Sequence, residues 1–69
     1  MNKFAERLRE LRESVVMTQK QLGEAAGISE RTVSYLESGK RECCFDVLIK
    51  LADCFDVSVD YLLGRRDFD

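Results

Sequence analysis

Gln19–Ser38, QKQLGEAAGISERTVSYLES, is the stretch on which the reading of the whole chain turns. Leu22, Ala25, Ala26 and Ile28 are apolar or small, and a second apolar pair follows at Val33 and Leu36. The spacings are three and four within each group, which predicts two short amphipathic helices. Gly27 lies between them and can adopt the left-handed backbone that ends the first helix and redirects the chain. Ser29 can then cap the second helix by accepting from an orphan backbone N–H. Gly23, one turn before Gly27, leaves room for the second helix to cross close by.

The exit from this unit is Glu37-Ser38-Gly39-Lys40-Arg41. Together with Gly23, Gly27 and the apolar positions, it resembles the helix-turn-helix of the phage Cro and repressor (XRE-type) family. The resemblance runs from about Phe4 to Gly64. It implies an all-α, five-helix, lambda-repressor-like DNA-binding domain, with the helix-turn-helix in its second and third helices. Residues 1–69 are read as a single domain with a core of about 4–64 and a frayed tail over 65–69.

Sixty-nine residues make a small domain whose core is marginal without help. Hydrophobic content of 45% argues for a folded chain, and four glycines with no proline favour helices. No apolar run approaches the ~20 residues of a membrane span, and MNKFAERLRE is too charged for a signal segment. A cytoplasmic location is the default expectation. The net charge of −2 does not suggest a nucleic-acid binder, but its distribution does. Residues 1–41 hold eight Lys/Arg against six Asp/Glu, and residues 42–69 hold three against seven. A mildly basic front half can face phosphate while an acidic rear half does not.

The first helix is expected from Asn2 to about Ser14, with Phe4, Leu8, Leu11 and Val15 on its apolar face. Lys3, Glu6, Arg7, Arg9, Glu10 and Glu13 form a solvated face. The resemblance implies that Arg12 pairs with Glu37 and ties the first helix to the third. Relatives often carry a glycine near Val16. A valine strongly disfavours positive φ, so a different closure of the first helix is expected. Thr18 and Gln21 fit an S/T-x-x-E/Q capping box at the start of the second helix. The amides there can hold a DNA phosphate. Gln19 resembles a family glutamine that bonds backbone phosphate and supports the reading helix; the alternative is an exposed polar residue near a cap.

The third helix, about Glu30 to Ser38, turns Val33 and Leu36 inward and leaves Glu30, Arg31, Ser34, Tyr35 and Ser38 outward. The resemblance implies that this stripe enters the major groove and that Glu30, Arg31, Ser34 and Tyr35 contact bases. Arg31 can bond guanine O6 and N7 together, and Glu30 can accept from cytosine N4. Tyr35 can reach a thymine methyl or a phosphate. Thr32 is read as bracing the first turn or touching phosphate. Thr18, Gln19, Ser29, Thr32, Lys40 and Arg41 make up the expected phosphate-contacting set.

Cys43 and Cys44 stand where relatives often have a proline and then a serine, which weakens the cap of the fourth helix. Cys43, Cys44 and Cys54 lack paired metal spacing and there is no histidine, so no metal site or cofactor is expected. They are read as small residues that cap or fill the core, with a redox or metal switch as the alternative. The fourth helix, about Phe45 to Phe55, offers Val47, Leu48, Leu51, Ala52 and Phe55 as its core face. Ser58 caps a last helix, Val59 to Leu63. Phe55 to Gly64 closely matches the family's closing segment, which implies a homodimer through the C-terminal helices.

The function expected is that of a transcriptional regulator, a repressor reading a palindromic operator in double-stranded DNA. The alternative is an antitoxin or other protein-interaction module on the same fold. No catalytic residues, small-molecule substrate or phosphate-cradling glycine loop can be identified, so an enzyme is not expected.

Overall fold

The computed structural model describes residues 3–68, and among them every regular element is a helix. In chain order these are α1 (Phe4–Ser14), α2 (Gln19–Ala26), α3 (Glu30–Ser38), α4 (Phe45–Phe55) and α5 (Val59–Leu63). The expected start of the first helix at Asn2 lies outside the described residues. Among the described residues no helix is long and apolar enough to cross a membrane.

Each junction has a local cause. Thr18 Oγ1 accepts from the Gln21 N–H at 3.0 Å while Gln21 Oε1 accepts from the Thr18 N–H at 2.9 Å, so the capping box starts α2. Gly27 ends it in the left-handed region at φ 72°. Ser29 then caps α3 through the Thr32 N–H, and Ser58 caps α5 through the Tyr61 N–H. Cys44 occupies the same position before α4 but makes no side-chain cap. The close crossing of α2 and α3 depends on Gly23. A Cβ there would stand 2.6 Å from the Ile28 carbonyl oxygen, well inside van der Waals contact.

The core gathers one side from every helix: Phe4 and Leu8 of α1, Leu22 and Ala26 of α2, Val33 and Leu36 of α3, Leu48, Leu51 and Ala52 of α4, and Leu62 of α5. Val47, Phe55 and Leu11 pack against it half-buried. Burial of such side chains contributes about 1.5–3 kcal/mol each and drives the helices together.

Four readings are corrected. Val15 is exposed rather than part of the α1 core face, because α1 ends at Ser14 and the chain turns away. Val16 does adopt positive φ, at 57°. Its N–H bonds the Glu13 carbonyl and the Met17 N–H bonds the Arg12 carbonyl, both at 3.1 Å, which is the closure a glycine normally supplies. Cys44 and Cys54 are exposed, and only Cys43 packs against the core. Arg7 does not belong to the solvated face. Its guanidinium donates to the carbonyls of Tyr61 at 3.0 Å and Arg66 at 2.9 Å, reaches Asp67 at 3.5 Å and lies 4.3 Å from the Tyr61 ring centroid. These contacts tie α1 to α5 and extend to Arg66 and Asp67 beyond it.

Candidate nucleic-acid interface

The outward stripe of α3 presents Glu30, Arg31, Ser34 and Ser38 to solvent, with Tyr35 half-buried beside them. A period of 3.6 residues puts Arg31 and Tyr35 on one face one turn apart. The Arg31 guanidinium carbon lies 5.9 Å from the Tyr35 ring centroid, so the ring supports the cation from below without occupying its donors. Ser34 is free to act as donor or acceptor. Ser38, by contrast, turns its hydroxyl back onto the Tyr35 carbonyl at 3.0 Å.

At the end of α3 the Gly39 N–H bonds the Leu36 carbonyl at 3.4 Å and the Lys40 N–H bonds the Tyr35 carbonyl at 3.1 Å. This Schellman closure fixes the backbone from which the exposed Lys40 and Arg41 project. At the start of α3 the Ser29 and Thr32 hydroxyls lie 2.8 Å apart. Both are thus engaged in the cap, and each keeps capacity for one further partner. Thr18, at the start of α2, is exposed.

A buried ionic cluster beneath the stripe sets its orientation. Arg12 Nε donates to Glu37 Oε2 at 2.6 Å, and a second guanidinium nitrogen donates to Oε1 at 3.1 Å. Gln19 Nε2 donates to the same Oε1 at 3.2 Å. The remaining Arg12 nitrogen donates to the Met17 carbonyl at 2.8 Å. Only 3% of the Glu37 side chain and 14% of the Arg12 side chain are exposed, so both charges depend on these partners. The hydrogen bond to Glu37 holds the Arg12 pKa above its ordinary value, against the opposing effect of burial. One carboxylate thereby joins α1, the loop, the first turn of α2 and the last turn of α3.

Gln19 donates one of its two amide hydrogens to Glu37, so it acts on α3 directly and keeps a second donor. The bond from Arg12 to the Met17 carbonyl has no sequence signal, because it depends on where the loop returns. Arg7 had no sequence signal either, because its partners come from α5 and the tail, 54 and 59 positions away.

Two short helices, a glycine turn at close contact and an exposed polar stripe on the second helix define a helix-turn-helix protein. A helix-turn-helix family model matches residues 8–62, and the chain belongs to the XRE-type helix-turn-helix family. It is 39% identical over 64 residues to the uncharacterized HTH-type transcriptional regulator YobD of Bacillus subtilis, covering 93% of this chain and 57% of YobD. It is 38% identical over 64 residues to the regulator ImmR of the same organism, covering 93% of this chain and 50% of ImmR. The chain thus spans about half the length of these two regulators. The P22 c2 repressor, solved with a synthetic operator, superposes with a TM-score of 0.84 at 32% identity, covering 87% of this chain and 91% of that one.

Proposed function

We propose that this chain is the DNA-reading domain of a sequence-specific transcription regulator, a repressor that occupies its operator as a homodimer. The observation that carries this reading is the pairing of an exposed Arg31 stripe with a buried Arg12–Glu37–Gln19 cluster directly behind it. YobD and ImmR are named as transcription regulators and the P22 c2 repressor was solved with operator DNA, which supports the same assignment.

In the proposed complex α3 lies in the major groove. Arg31 forms two parallel bonds to guanine, and Ser34, Tyr35 and Glu30 contact neighbouring base edges. Thr18, Gln19, Ser29, Thr32, Lys40 and Arg41 follow the sugar-phosphate backbone and set the register. Two copies joined through α4 and α5 read a palindrome with half-site centres one helical turn, roughly 10 bp, apart.

Selection from a random duplex pool, followed by sequencing of the bound fraction, tests this. An inverted repeat at one-turn spacing is the expected result. Arg31→Ala should relax preference at one position of each half-site, whereas Lys40→Ala should weaken all sequences alike and lower the salt slope. Failure to enrich any motif at low salt would overturn the reading.

A further inference from the structure

Cys43 and Cys44 are adjacent thiols in the connection from α3 to α4, and DNA reading has no use for them. Cys43 packs half-buried against the core. Cys44 is exposed at the residue before α4 and makes no side-chain cap. Burial pushes the Cys43 thiol above its ordinary pKa and the neighbouring Cys44 adds to the shift, so the two side chains sense one another. Both are free thiols.

Cys43 also lines a hollow of about 220 Å³ whose other walls are Phe4, Glu42, Phe45, Leu48 and Leu63. Apart from Glu42 those walls are apolar. An apolar cavity of about 150 Å³ accepts a benzene ring, so this one has room for a phenyl group. A soft sulfur donor therefore stands at the wall of a ring-sized apolar hollow, with a second thiol next to it.

The chemistry of the pair selects its ligand. Cα atoms joined by a trans peptide stand about 3.8 Å apart, inside the roughly 4.4–6.8 Å that disulfides span. No peptide bond among the described residues is cis, so a disulfide within the pair is disfavoured. One soft atom inserted between the sulfurs enlarges the ring and removes that difficulty. Zinc and similar ions take four donors, whereas no group of three or more His, Cys, Asp or Glu among the described residues could hold a metal. A linear two-coordinate cation would satisfy both thiols and leave the hollow unused. A trivalent arsenic centre carrying one organic substituent takes two thiols and directs its third bond elsewhere. Soft sulfur favours so soft a centre.

We propose that Cys43 and Cys44 form a chelating site for a monosubstituted trivalent arsenical, with its apolar substituent seated in the hollow lined by Phe4, Phe45, Leu48 and Leu63. Two As–OH and two S–H bonds break, two As–S bonds form, and the hydroxyls leave with the thiol protons as two waters. Arsenic stays trivalent and no oxidant is needed. The site does not depend on the DNA-reading assignment.

Intact-mass spectrometry of the reduced chain with phenylarsine oxide tests this. The wild-type chain and Cys54→Ser should each gain one phenylarsenic group less two hydrogens. The adduct should survive excess glutathione, a monothiol, and be stripped by excess dithiothreitol. Cys43→Ser and Cys44→Ser should each weaken retention about a hundredfold, because two-point attachment becomes one-point. Circular dichroism at neutral pH should show every variant folded. In competition with dithiothreitol the intrinsic arsenic–sulfur chemistry cancels. The phenyl compound should then be held about tenfold more tightly than its methyl analogue, and Phe45→Ala should reduce that preference. Absence of an adduct, an adduct indifferent to Cys43→Ser or Cys44→Ser, or one abolished by Cys54→Ser would overturn the proposal. Equal retention of the phenyl and methyl compounds would overturn the seating in the hollow.

Discussion

Arg12 Nε sits 2.6 Å from Glu37 Oε2, joining side chains twenty-five positions apart in the chain. Gln19 completes the carboxylate from the first turn of α2, and the Met17 carbonyl completes the guanidinium. The orientation of α3 is thus set by a hydrogen-bonded charge pair that water barely reaches.

Removing one partner should therefore cost more than an ordinary surface pair. Arg12→Ala leaves a buried carboxylate with only Gln19 and should destabilise the chain by about 3–5 kcal/mol in urea titrations. The double replacement Arg12→Met, Glu37→Leu should recover much of that loss, because neither charge is then left unpaired. Additive losses in the double-mutant cycle would contradict this picture of the pair.

Val16 stands 88% exposed with φ at 57°, a conformation that a β-branched side chain resists. Glycine at this position would relieve the strain and bury nothing less. The relief of roughly 1–2 kcal/mol exceeds the added entropy of an unfolded glycine, roughly 0.5–1 kcal/mol. Val16→Gly should raise stability by about 1 kcal/mol or less and lift the melting temperature by several degrees. A lower melting temperature would show that the valine is stabilised by contacts the strain argument omits.

Gly23→Ala should act in the opposite direction. The added methyl meets the Ile28 carbonyl and the backbone of Ser29 and Glu30, none of which can swing aside as a flexible side chain would. A loss of about 1–3 kcal/mol is expected from unfolding curves. Amide exchange should rise first at the start of α3, where the two helices are forced apart.

The cysteines should differ in reactivity. Burial pushes the Cys43 thiol up from its ordinary pKa, whereas Cys44 and Cys54 are open to solvent. Mass spectrometry during alkylation at mildly alkaline pH should find Cys43 modified last. The sign of the pH effect follows from linkage. Above the ordinary thiol range the unfolded chain releases this proton before the folded one does, so Cys43 contributes stability that is lost as pH rises towards its folded value. Cys43→Ser should flatten that alkaline decline in stability.

Much of the fold was legible because its signals are local. Thr18 and Gln21, Gly27 and Ser29, and Ser58 with Tyr61 each act within a few residues, and backbone donors at helix starts have few other partners. The apolar spacing located the core faces of α2, α3 and α4 for the same reason. Arg31 and Ser34 could be placed on an outward stripe once Val33 and Leu36 were assigned inward. Other positions were not legible. Arg7 looked solvated because nothing near it in the chain reveals that α5 and the tail return across α1. Val16 looked incompatible with positive φ because local preference favours another shape. The Arg12–Met17 and Arg12–Glu37 bonds and the packing of Met17 hold the loop where local preference would not.

By itself the sequence determined the helices, their caps, the glycine turn and the side of α3 that faces away from the core. These follow from backbone hydrogen bonding and the 3.6-residue period, whose range is one or two turns. Tertiary structure alone decided which charges are buried and which apolar groups are not. Arg12 and Arg7 lost their solvent to distant segments, and Phe45 kept its exposure because no other part of the described chain reaches it. Burial depends on what packs against a residue, and in this fold those neighbours come from up to sixty positions away.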